Sequence, residues 1–430
     1  MTSDVAGTHQ RRKPLWSPML PMDRQGRDEV CAVSAAGVRI RYADGRELLC
    51  GTSGLWNANL GYGNRIIADA AADALRNASY LGVHQIENSY ARRAAEDLID
   101  LCGADHYQRV IFSTSGGAAN DLMMKLARQF HVMRGERDRR IVVALRDSWH
   151  GLTFGAFALT SDILGQNMYG VDRRLVAHIP PNDPEALAEL LARHGSAIAA
   201  IVVEPVLGNG ALPLTDEYIA ALIQQRRENG FLLIADEVAT GFGRTGTMFA
   251  SETWPEPPDI LISSKGLTNG TSAAAAVMVS CAVSDVYVEA NALLAHAETQ
   301  AGTPVTCATI MATIDEMRRL DAVAAGAKLG ERLEAEVARI VEEEPLVTGT
   351  TGKGCFRSLR LRGDDGGPLP STEVPNVQAA IRDAGAVVHA APDGIQLVPA
   401  LVYTEEELGE LLDCVRAGLA GYAASRGKKG

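Results

Sequence analysis

The sequence predicts an α/β fold, in which helices cover a mostly parallel β-sheet and a smaller α+β domain follows. From about residue 64 onward, helical patterns alternate with short apolar runs, which is typical of parallel sheets covered on both faces. After Asp321 the pattern changes to a long charged helix, a glycine-rich break and a closing helix. We therefore expect residues 66–322 to form a large domain and residues 323–430 a small domain.

The N-terminal part predicts an arm and a hairpin. Residues 1–35 are rich in proline and charge, and such an arm could pack against a partner subunit. Val38–Tyr42 and Glu47–Cys50 flank the turn Ala43-Asp44-Gly45, a pattern that favours a β-hairpin. We assign arm and hairpin to a segment, residues 1–65, that packs with the small domain.

The remaining elements follow from the periodicity of apolar residues. Helices are predicted at Asn64–Asn77, Ser89–Cys102 and Ala118–Val132. Strands are predicted at Val110–Phe112, Ile141–Leu145, Ile198–Val203, Phe231–Ala235 and Ile260–Ile262. In the small domain we expect a helix at Ala322–Glu344, a glycine-rich break at Gly349–Gly354, a strand at Phe356–Leu361 and a helix near Thr404–Ala424.

The composition is that of a globular protein. The formal net charge of −12 argues against nucleic acid as the main partner. No apolar run approaches the roughly 20 residues that span a bilayer, and no signal peptide is evident. The 7 cysteines are scattered without a C-x-x-C pair, which predicts neither a disulfide framework nor a metal site. We expect a cytoplasmic protein with no metal and no membrane partner.

Small or polar residues follow successive predicted strands, at the sheet edge where α/β proteins bind ligands. Ser115-Gly116-Gly117 opens a helix, where backbone N–H groups can bind a phosphate. Trp149 follows the next strand and could stack on a planar ligand, whereas Asp236 and Lys265 end two later strands. Singly, each has a common structural explanation, such as a helix start, a packing tryptophan or a solvent-facing lysine.

Together, these features match what pyridoxal 5′-phosphate (PLP) requires of a protein. A lysine binds the cofactor as a Schiff base, and an acid keeps the ring nitrogen protonated. The protonated ring can then delocalise a carbanion at the substrate carbon. The combination therefore favours a PLP enzyme over four unrelated structural residues.

A second motif indicates a different class of enzyme. Gly241–Gly246 matches G-x-G-x-x-G, the fingerprint of dinucleotide-binding folds, so a dehydrogenase is an alternative. The next stretch, Met248–Pro258, contains three prolines and cannot form the long helix that such a fold requires there. The context therefore argues against this alternative.

The same residues resemble those of class III (ω-type) aminotransferases over roughly residues 35–425. Asp236–Gly246 resembles the family's DEVQTGFGRTG stretch, and Ser264–Leu267 resembles its SKGL motif. The resemblance implies PLP fold type I with a seven-stranded, mostly parallel sheet. It also implies that Lys265 is the Schiff-base lysine and the general base for proton transfer.

The resemblance extends to the other cofactor residues. It implies that Asp236 pairs with the ring nitrogen, that Val238 supports the ring and that Trp149 stacks on it. Ser115 to Gly117 match the family's phosphate turn, so Gly116 and Gly117 are implied as phosphate ligands. The turn continues with Ala118-Ala119 instead of the usual Glu-Ala.

A further segment implies a partner subunit. His296–Ala308 resembles the segment whose threonine, here Thr299, reaches the phosphate of the neighbouring subunit's cofactor. A homodimer with shared active sites is therefore implied.

Three residues are candidates for substrate binding: Trp56, Glu204 and Gln396. Trp56 matches a tryptophan that lines the substrate pocket in the ω-amine and β-alanine:pyruvate branch, and Glu204 matches the glutamate of the family's EPV motif. Gly394–Leu401 resembles I-R-L-x-P-P-L, but Gln396 replaces the arginine that binds a substrate α-carboxylate in many members. A misplaced alignment or a substituting arginine would also explain this difference.

These features predict an aminotransferase that moves an amino group from a small-molecule donor to a ketone or aldehyde without an α-carboxylate. The N-terminal stretch and the missing arginine also resemble aminotransferases of daptide-type ribosomal peptide biosynthesis, which aminate a C-terminal ketone of a modified peptide. The alternatives are an ω-amino acid:pyruvate aminotransferase, another class III PLP reaction and a catalytically silent scaffold. The retention of Lys265, Asp236 and Thr299 argues against a silent scaffold.

Overall fold

The computed structural model of the protein describes residues 14–161 and 164–426. Its strands are β1 (Ala32–Ala36), β2 (Arg39–Tyr42), β3 (Glu47–Cys50), β4 (Tyr107–Ser113), β5 (Ile141–Leu145), β6 (Val176–Ile179), β7 (Ile198–Val203), β8 (Val206–Leu207), β9 (Leu212–Pro213), β10 (Leu232–Asp236), β11 (Ile260–Ser263), β12 (Ala275–Ser280), β13 (Val347–Lys353), β14 (Phe356–Leu361), β15 (Ala386–Val387), β16 (His389–Ala391) and β17 (Gly394–Leu397). Its helices are α1 (Ser53–Trp56), α2 (Arg65–Asn77), α3 (Ser89–Cys102), α4 (Gly116–Met133), α5 (Phe154–Leu159), α6 (Pro184–His194), α7 (Asp216–Asn229), α8 (Cys281–Glu289), α9 (Pro304–Arg319), α10 (Ala322–Glu343), α11 (Val374–Asp383) and α12 (Glu405–Arg426).

The central sheet has seven strands in the order β4-β12-β11-β10-β7-β5-β6. All neighbours from β11 to β6 are parallel, whereas β12 pairs antiparallel with both β11 and β4. Neighbouring residues of β7 lie in different cores, since Val202 packs with α4 and Ile201 packs with α6 and α7. Both faces are therefore covered, and the predicted α/β architecture is confirmed.

Side-chain caps start the three helices that the sequence predicted in this region. The side chains of Asn64, Asn88 and Ser115 each accept a hydrogen bond from a backbone N–H in the first turn of α2, α3 and α4. Such caps satisfy N–H groups that have no acceptor within the helix. Helix α4 begins at Gly116, two residues earlier than predicted, because Ser115 caps it.

The second four-stranded sheet has the order β13-β14-β17-β16 and is antiparallel throughout. The predicted glycine-rich break at Gly349–Gly354 is wrong, because most of it belongs to β13. Gly352 has a φ of +133°, and a Cβ there would lie 2.1 Å from Phe356 O. The glycine thus permits a tight hairpin with β14 and does not interrupt strand β13.

The predicted hairpin is confirmed as β2 and β3, and β1 extends it from the arm. Strand β3 pairs in parallel with β15, so the N-terminal sheet is completed by residues near the other end of the chain. The part of the arm before residue 14 and the tail from residue 427 lie outside the described residues. The domain boundaries at 65 and 322 stay predictions. In the described ranges, no helix is long and apolar enough to cross a membrane.

Candidate active site

The predicted cofactor residues lie at the carboxyl edge of the central sheet. Asp236 ends β10, and Lys265 follows β11, the neighbouring strand. Gly116 begins α4 after β4, and Trp149 follows β5. Two antiparallel pairings separate β4 from β11, so these two strands run in the same direction. The sheet therefore brings together residues that the sequence placed on four separate strands.

Asp236 is buried, and three donors orient its carboxylate. Oδ2 accepts hydrogen bonds from Asn120 Nδ2 and His150 Nδ1, both at 2.8 Å, and Oδ1 accepts one from Val238 N at 3.1 Å. A carboxylate has about four acceptor positions, so one remains for a cationic ligand.

His150 supplies one of the three donors that orient the carboxylate of Asp236. Burial lowers the pKa of His150, but the hydrogen bond and charge of Asp236 outweigh that effect and raise the pKa above its ordinary value. The second ring nitrogen, Nε2, is buried and has no hydrogen-bond partner among the residues that the structure describes. Within the described residues, the imidazole therefore makes its side-chain hydrogen bond to Asp236 alone, through Nδ1.

Asn120 connects the acid to the candidate phosphate turn, a role that the sequence analysis missed. Its Nδ2 donates to Asp236 Oδ2, to Gly116 O at 3.1 Å and to His150 O at 3.0 Å. The spacing in the sequence could have indicated this role. Asn120 lies one helical turn after Gly116, so both residues face the same edge of the sheet.

The turn itself requires residues without a Cβ. A Cβ on Gly116 would lie 3.0 Å from Val238 Cγ2, and a Cβ on Gly151 would lie 2.5 Å from Gly117 Cα. Gly151 also has a φ of +123°, in the region that favours glycine. The N–H groups of Gly116 and Gly117 open α4 and have no acceptor within the helix, which is a geometry suited to an anion.

Lys265 is partly buried, and its backbone has a left-handed φ of +41°. Its Nζ lies 4.6 Å from the ring centroid of Trp56. Burial lowers the pKa of Lys265, and the charges of Asp236 and Glu204 oppose part of this shift. A lysine with a lowered pKa is more often neutral and can therefore act as a nucleophile.

Glu204 and Gln396 are both buried, and Gly208 lies between them. Glu204 Oε1 accepts from Gly208 N at 2.9 Å, Glu204 Oε2 accepts from Trp149 N at 2.8 Å, and Gln396 Nε2 donates to Gly208 O at 2.7 Å. Burial raises the pKa of Glu204 to about 7. In the described part of the chain, no arginine bonds to Glu204 or Gln396.

Arg244 is the arginine whose charge acts on Lys265 in the described residues. It is fully buried, and burial lowers its pKa to about 10. Its guanidinium donates to Asn59 Oδ1 at 2.6 Å, to Ser53 Oγ at 3.2 Å and to Pro399 O. These contacts occupy donors that a substrate carboxylate would need.

Thr299 is exposed, and its carbonyl oxygen accepts from Tyr80 Oη at 3.0 Å. The preceding residue, Glu298, accepts from Ser113 Oγ at 2.5 Å and from Thr114 N at 3.0 Å. The segment thus lies beside the strand that leads into the candidate phosphate turn, but Thr299 itself remains on the surface of the subunit.

A seven-stranded sheet of this topology, with a lysine and an oriented carboxylate at one edge, is the architecture of PLP enzymes of fold type I. The family model of class III aminotransferases matches residues 22–419. The chain belongs to the class III aminotransferases, and it is a PLP-dependent enzyme.

Several relatives match over nearly their whole length. An acetylornithine aminotransferase of Mycobacterium tuberculosis is 30% identical over 399 residues, which cover 91% of this chain and 92% of the relative. An omega-aminotransferase of Caulobacter vibrioides is 28% identical over 427 residues, with coverages of 94% and 96%. An uncharacterised aminotransferase of Bacillus subtilis is 29% identical over 415 residues, with coverages of 90% and 91%.

Solved structures agree with the fold. A PLP-bound amine transaminase from an uncultivated Pseudomonas species has a TM-score of 0.89 and 28% identity, and the match covers 95% of this chain and 99% of that one. A transaminase from the marine bacterium Virgibacillus has a TM-score of 0.91 at 24% identity, covering 96% and 98%, and supports the fold alone.

The residues present fit PLP. Asp236 keeps an acceptor position, the N–H groups that open α4 keep their hydrogens free of helical acceptors, and Lys265 Nζ lies at the same edge. When bound, PLP supplies an electron sink that stabilises negative charge at the substrate carbon. Within the described ranges, no group of three or more potential ligands could hold a metal ion.

Proposed function

We propose that the protein transfers an amino group from a small donor amino acid or amine to a ketone or aldehyde that lacks an α-carboxylate. The observation that carries this proposal is the state of Gln396, whose amide is buried and bound to Gly208 O at 2.7 Å. A neutral amide lacks the charge and the five-donor fork with which arginine binds a carboxylate. Arg244, the candidate substitute, is committed to Asn59, Ser53 and Pro399.

Each site residue then has a role. Lys265 would hold the cofactor covalently, and its amine would be the general base that moves a proton at the substrate carbon. Asp236 would hold a proton on the ring nitrogen, Val238 and Trp149 would pack against the ring, and the N–H groups of Gly116 and Gly117 would bind the phosphate. The burial of Asp236 and its three donors support this assignment.

The substrate residues extend the proposal. Trp56 forms a wall of the pocket beside Lys265, and Glu204, with a pKa near 7, is a weak negative charge instead of half of an ion pair. A ketone at the end of a modified ribosomal peptide is one acceptor of the proposed class, supported by the daptide-type resemblance. An ω-amino acid:pyruvate aminotransferase is the second candidate, and the omega-aminotransferase relative favours it.

We further propose a homodimer in which Thr299 of each subunit contacts the cofactor phosphate of the other. Thr299 is exposed in the single subunit. A cleft of about 930 Å³ lies nearby and includes Ile86, Leu293 and Glu298 in its lining. Tyr80, Ile86 and Leu293 are large exposed apolar residues, and such surfaces commonly mark interfaces between subunits.

The experiment compares two acceptors on the aminated enzyme: a methyl ketone and the 2-oxo acid with the same side chain. The wild type is expected to prefer the ketone in kcat/KM, and Gln396→Arg is expected to shift the preference toward the oxo acid. Gln224→Arg makes the same change on the exposed surface of α7 and should not shift the preference. A strong preference of the wild type for the oxo acid would overturn the proposal and favour the second candidate.

A further inference from the structure

An imidazole beside Lys265 has no role in the mechanism described above. His389 lies on β16 and faces Gln396 of β17 in the antiparallel register. Its ring centroid is 5.0 Å from that of Trp56, with the ring planes at 73°. Lys265 Nζ lies over the same indole at 4.6 Å. One indole therefore contacts both the cofactor-binding lysine and this histidine.

The indole is itself fixed by its packing. Trp56 is buried, and its ring also contacts Phe356 at a centroid distance of 5.0 Å. Trp56 has a positive φ of +64°, which leaves its backbone few alternative conformations. His389 is therefore held at a defined position relative to the reacting centre.

The ring nitrogens of His389 are available for a ligand. Neither of them has a hydrogen-bond partner among residues 14–161 and 164–426, and the residue is partly buried instead of sealed in the core. Burial and the charge of Lys265 lower the pKa of His389 to about 4. At neutral pH the ring is thus uncharged, and it offers one donor and one acceptor.

We propose that His389 is a specificity-determining residue that hydrogen-bonds an uncharged polar group of the substrate, of the amide type, attached beside the reacting carbonyl. This inference rests on the proposed function of the site. A neutral imidazole can either donate to the amide carbonyl oxygen or accept from the amide N–H, and its tautomer determines which of these two hydrogen bonds forms. A carboxylate can only accept hydrogen bonds, and the neutral ring offers it a single donor and no positive charge.

The test uses two acceptors with one skeleton: a 2-oxo amide, and a ketone in which a branched alkyl group of similar shape replaces the amide. The variant His389→Phe keeps an aromatic ring against Trp56 but removes both nitrogens. It is expected to lower kcat/KM for the oxo amide roughly three- to tenfold, mainly through KM, because a neutral hydrogen bond is lost. The alkyl ketone should change by less than about twofold.

Two further measurements separate binding from structure. In the unreactive Lys265→Ala background, the dissociation constant for the oxo amide, measured by calorimetry, should rise by the same factor when His389→Phe is added. His194→Phe, on the exposed end of α6, is the matched control and should leave kcat/KM unchanged for both acceptors. Should His389→Phe fail to fold, His389→Ala with the same two acceptors decides the question.

Equal losses on both acceptors, or no loss on either, would overturn the role of His389. Failure of the proposed function is read separately, from a wild-type preference for 2-oxo acid over methyl ketone. The two results therefore cannot be confused.

Discussion

The amine of Lys265 lies over the indole of Trp56, and the charges of Asp236 and Glu204 act on it. A strand end and a short motif predict Lys265 as the cofactor lysine, but they do not indicate these surroundings, because the three residues come from distant parts of the chain. The same holds for the donors to Asp236. Asn120 and the ring of His150 act through hydrogen bonds whose partners only the fold defines.

We expect Lys265→Ala to abolish turnover and the covalent bond to the cofactor, because no other amine of the described residues lies over the indole of Trp56. Borohydride reduction of the wild type followed by peptide mapping should label Lys265. Lys328→Ala, an exposed lysine of α10, should leave both properties unchanged. Labelling of a different lysine would refute the assignment.

Asp236→Asn is expected to lower turnover by several orders of magnitude, because the neutral amide cannot hold a proton on the ring nitrogen. The pKa of His150 should also fall, since its burial persists and the opposing charge is gone. Steady-state kinetics and histidine NMR titration measure the two effects. Asp216→Asn on the surface of α7 serves as control. Near-wild-type turnover would assign the proton to another group.

Glu204 should make stability depend on pH. Burial raises the pKa of Glu204 in the folded state from an ordinary 4.5 to about 7, so the folded state holds this proton more tightly than the unfolded state does. The contribution of this proton to the free energy of unfolding is therefore complete below pH 4.5 and is lost as the pH rises through 7. Relative to Glu204→Gln, the wild type should lose up to about 3 kcal/mol of unfolding free energy across this window. Denaturant titrations at several pH values measure the slope. Parallel curves for the two proteins would contradict the expectation.

Elements were predicted well where one residue pattern sufficed. Strands β7 and β10 are continuous apolar runs, and α2 and α3 carry asparagine caps. Strand β12 begins with alanines, which have little strand preference, and it enters the sheet antiparallel between β11 and β4. Its pairing depends on both neighbours, so no local pattern indicates it. The glycines of β13 led to the wrong prediction of a break. A local pattern was present there, but Gly352 permits close contact with β14 in a hairpin and does not end the strand.

Gly151→Ala tests the close approach between the start of α4 and the segment after β5. A Cβ would lie 2.5 Å from Gly117 Cα, and the φ of +123° is strained for alanine. Because the neighbour is backbone, neither segment can move aside at low cost in free energy. We expect a loss of about 1–3 kcal/mol in unfolding free energy and weaker PLP binding. Denaturant unfolding and cofactor titration measure these.

The matched control is Gly421→Ala, in α12, where a Cβ meets nothing within 4 Å. Alanine should there stabilise the helix by up to about 1 kcal/mol. If Gly151→Ala proves as stable as this control, the close approach does not constrain the site.

At the scale of the whole molecule, mixing two inactive variants tests the shared site. Lys265→Ala lacks the lysine, and Thr299→Asp places a negative charge where the partner's phosphate is proposed to bind. If sites are shared, a mixed dimer regains one intact site, with Lys265 from one chain and Thr299 from the other. Activity should therefore appear after co-refolding. Persistent inactivity of a mixed dimer verified by mass spectrometry would place Thr299 in its own subunit's site.

The pairing of β3 with β15 has a consequence for synthesis of the chain. Ala386 and Val387 emerge from the ribosome more than 300 residues after their parallel partners Leu49 and Cys50. At ordinary elongation rates of about 5–20 residues per second, the hairpin waits roughly 20–70 s for its neighbour. During that time Leu48 and Leu49, buried in the finished protein, have no completed core to enter. Until its partner strand arrives, the hairpin therefore presents apolar side chains of the kind that chaperones at the ribosome exit bind.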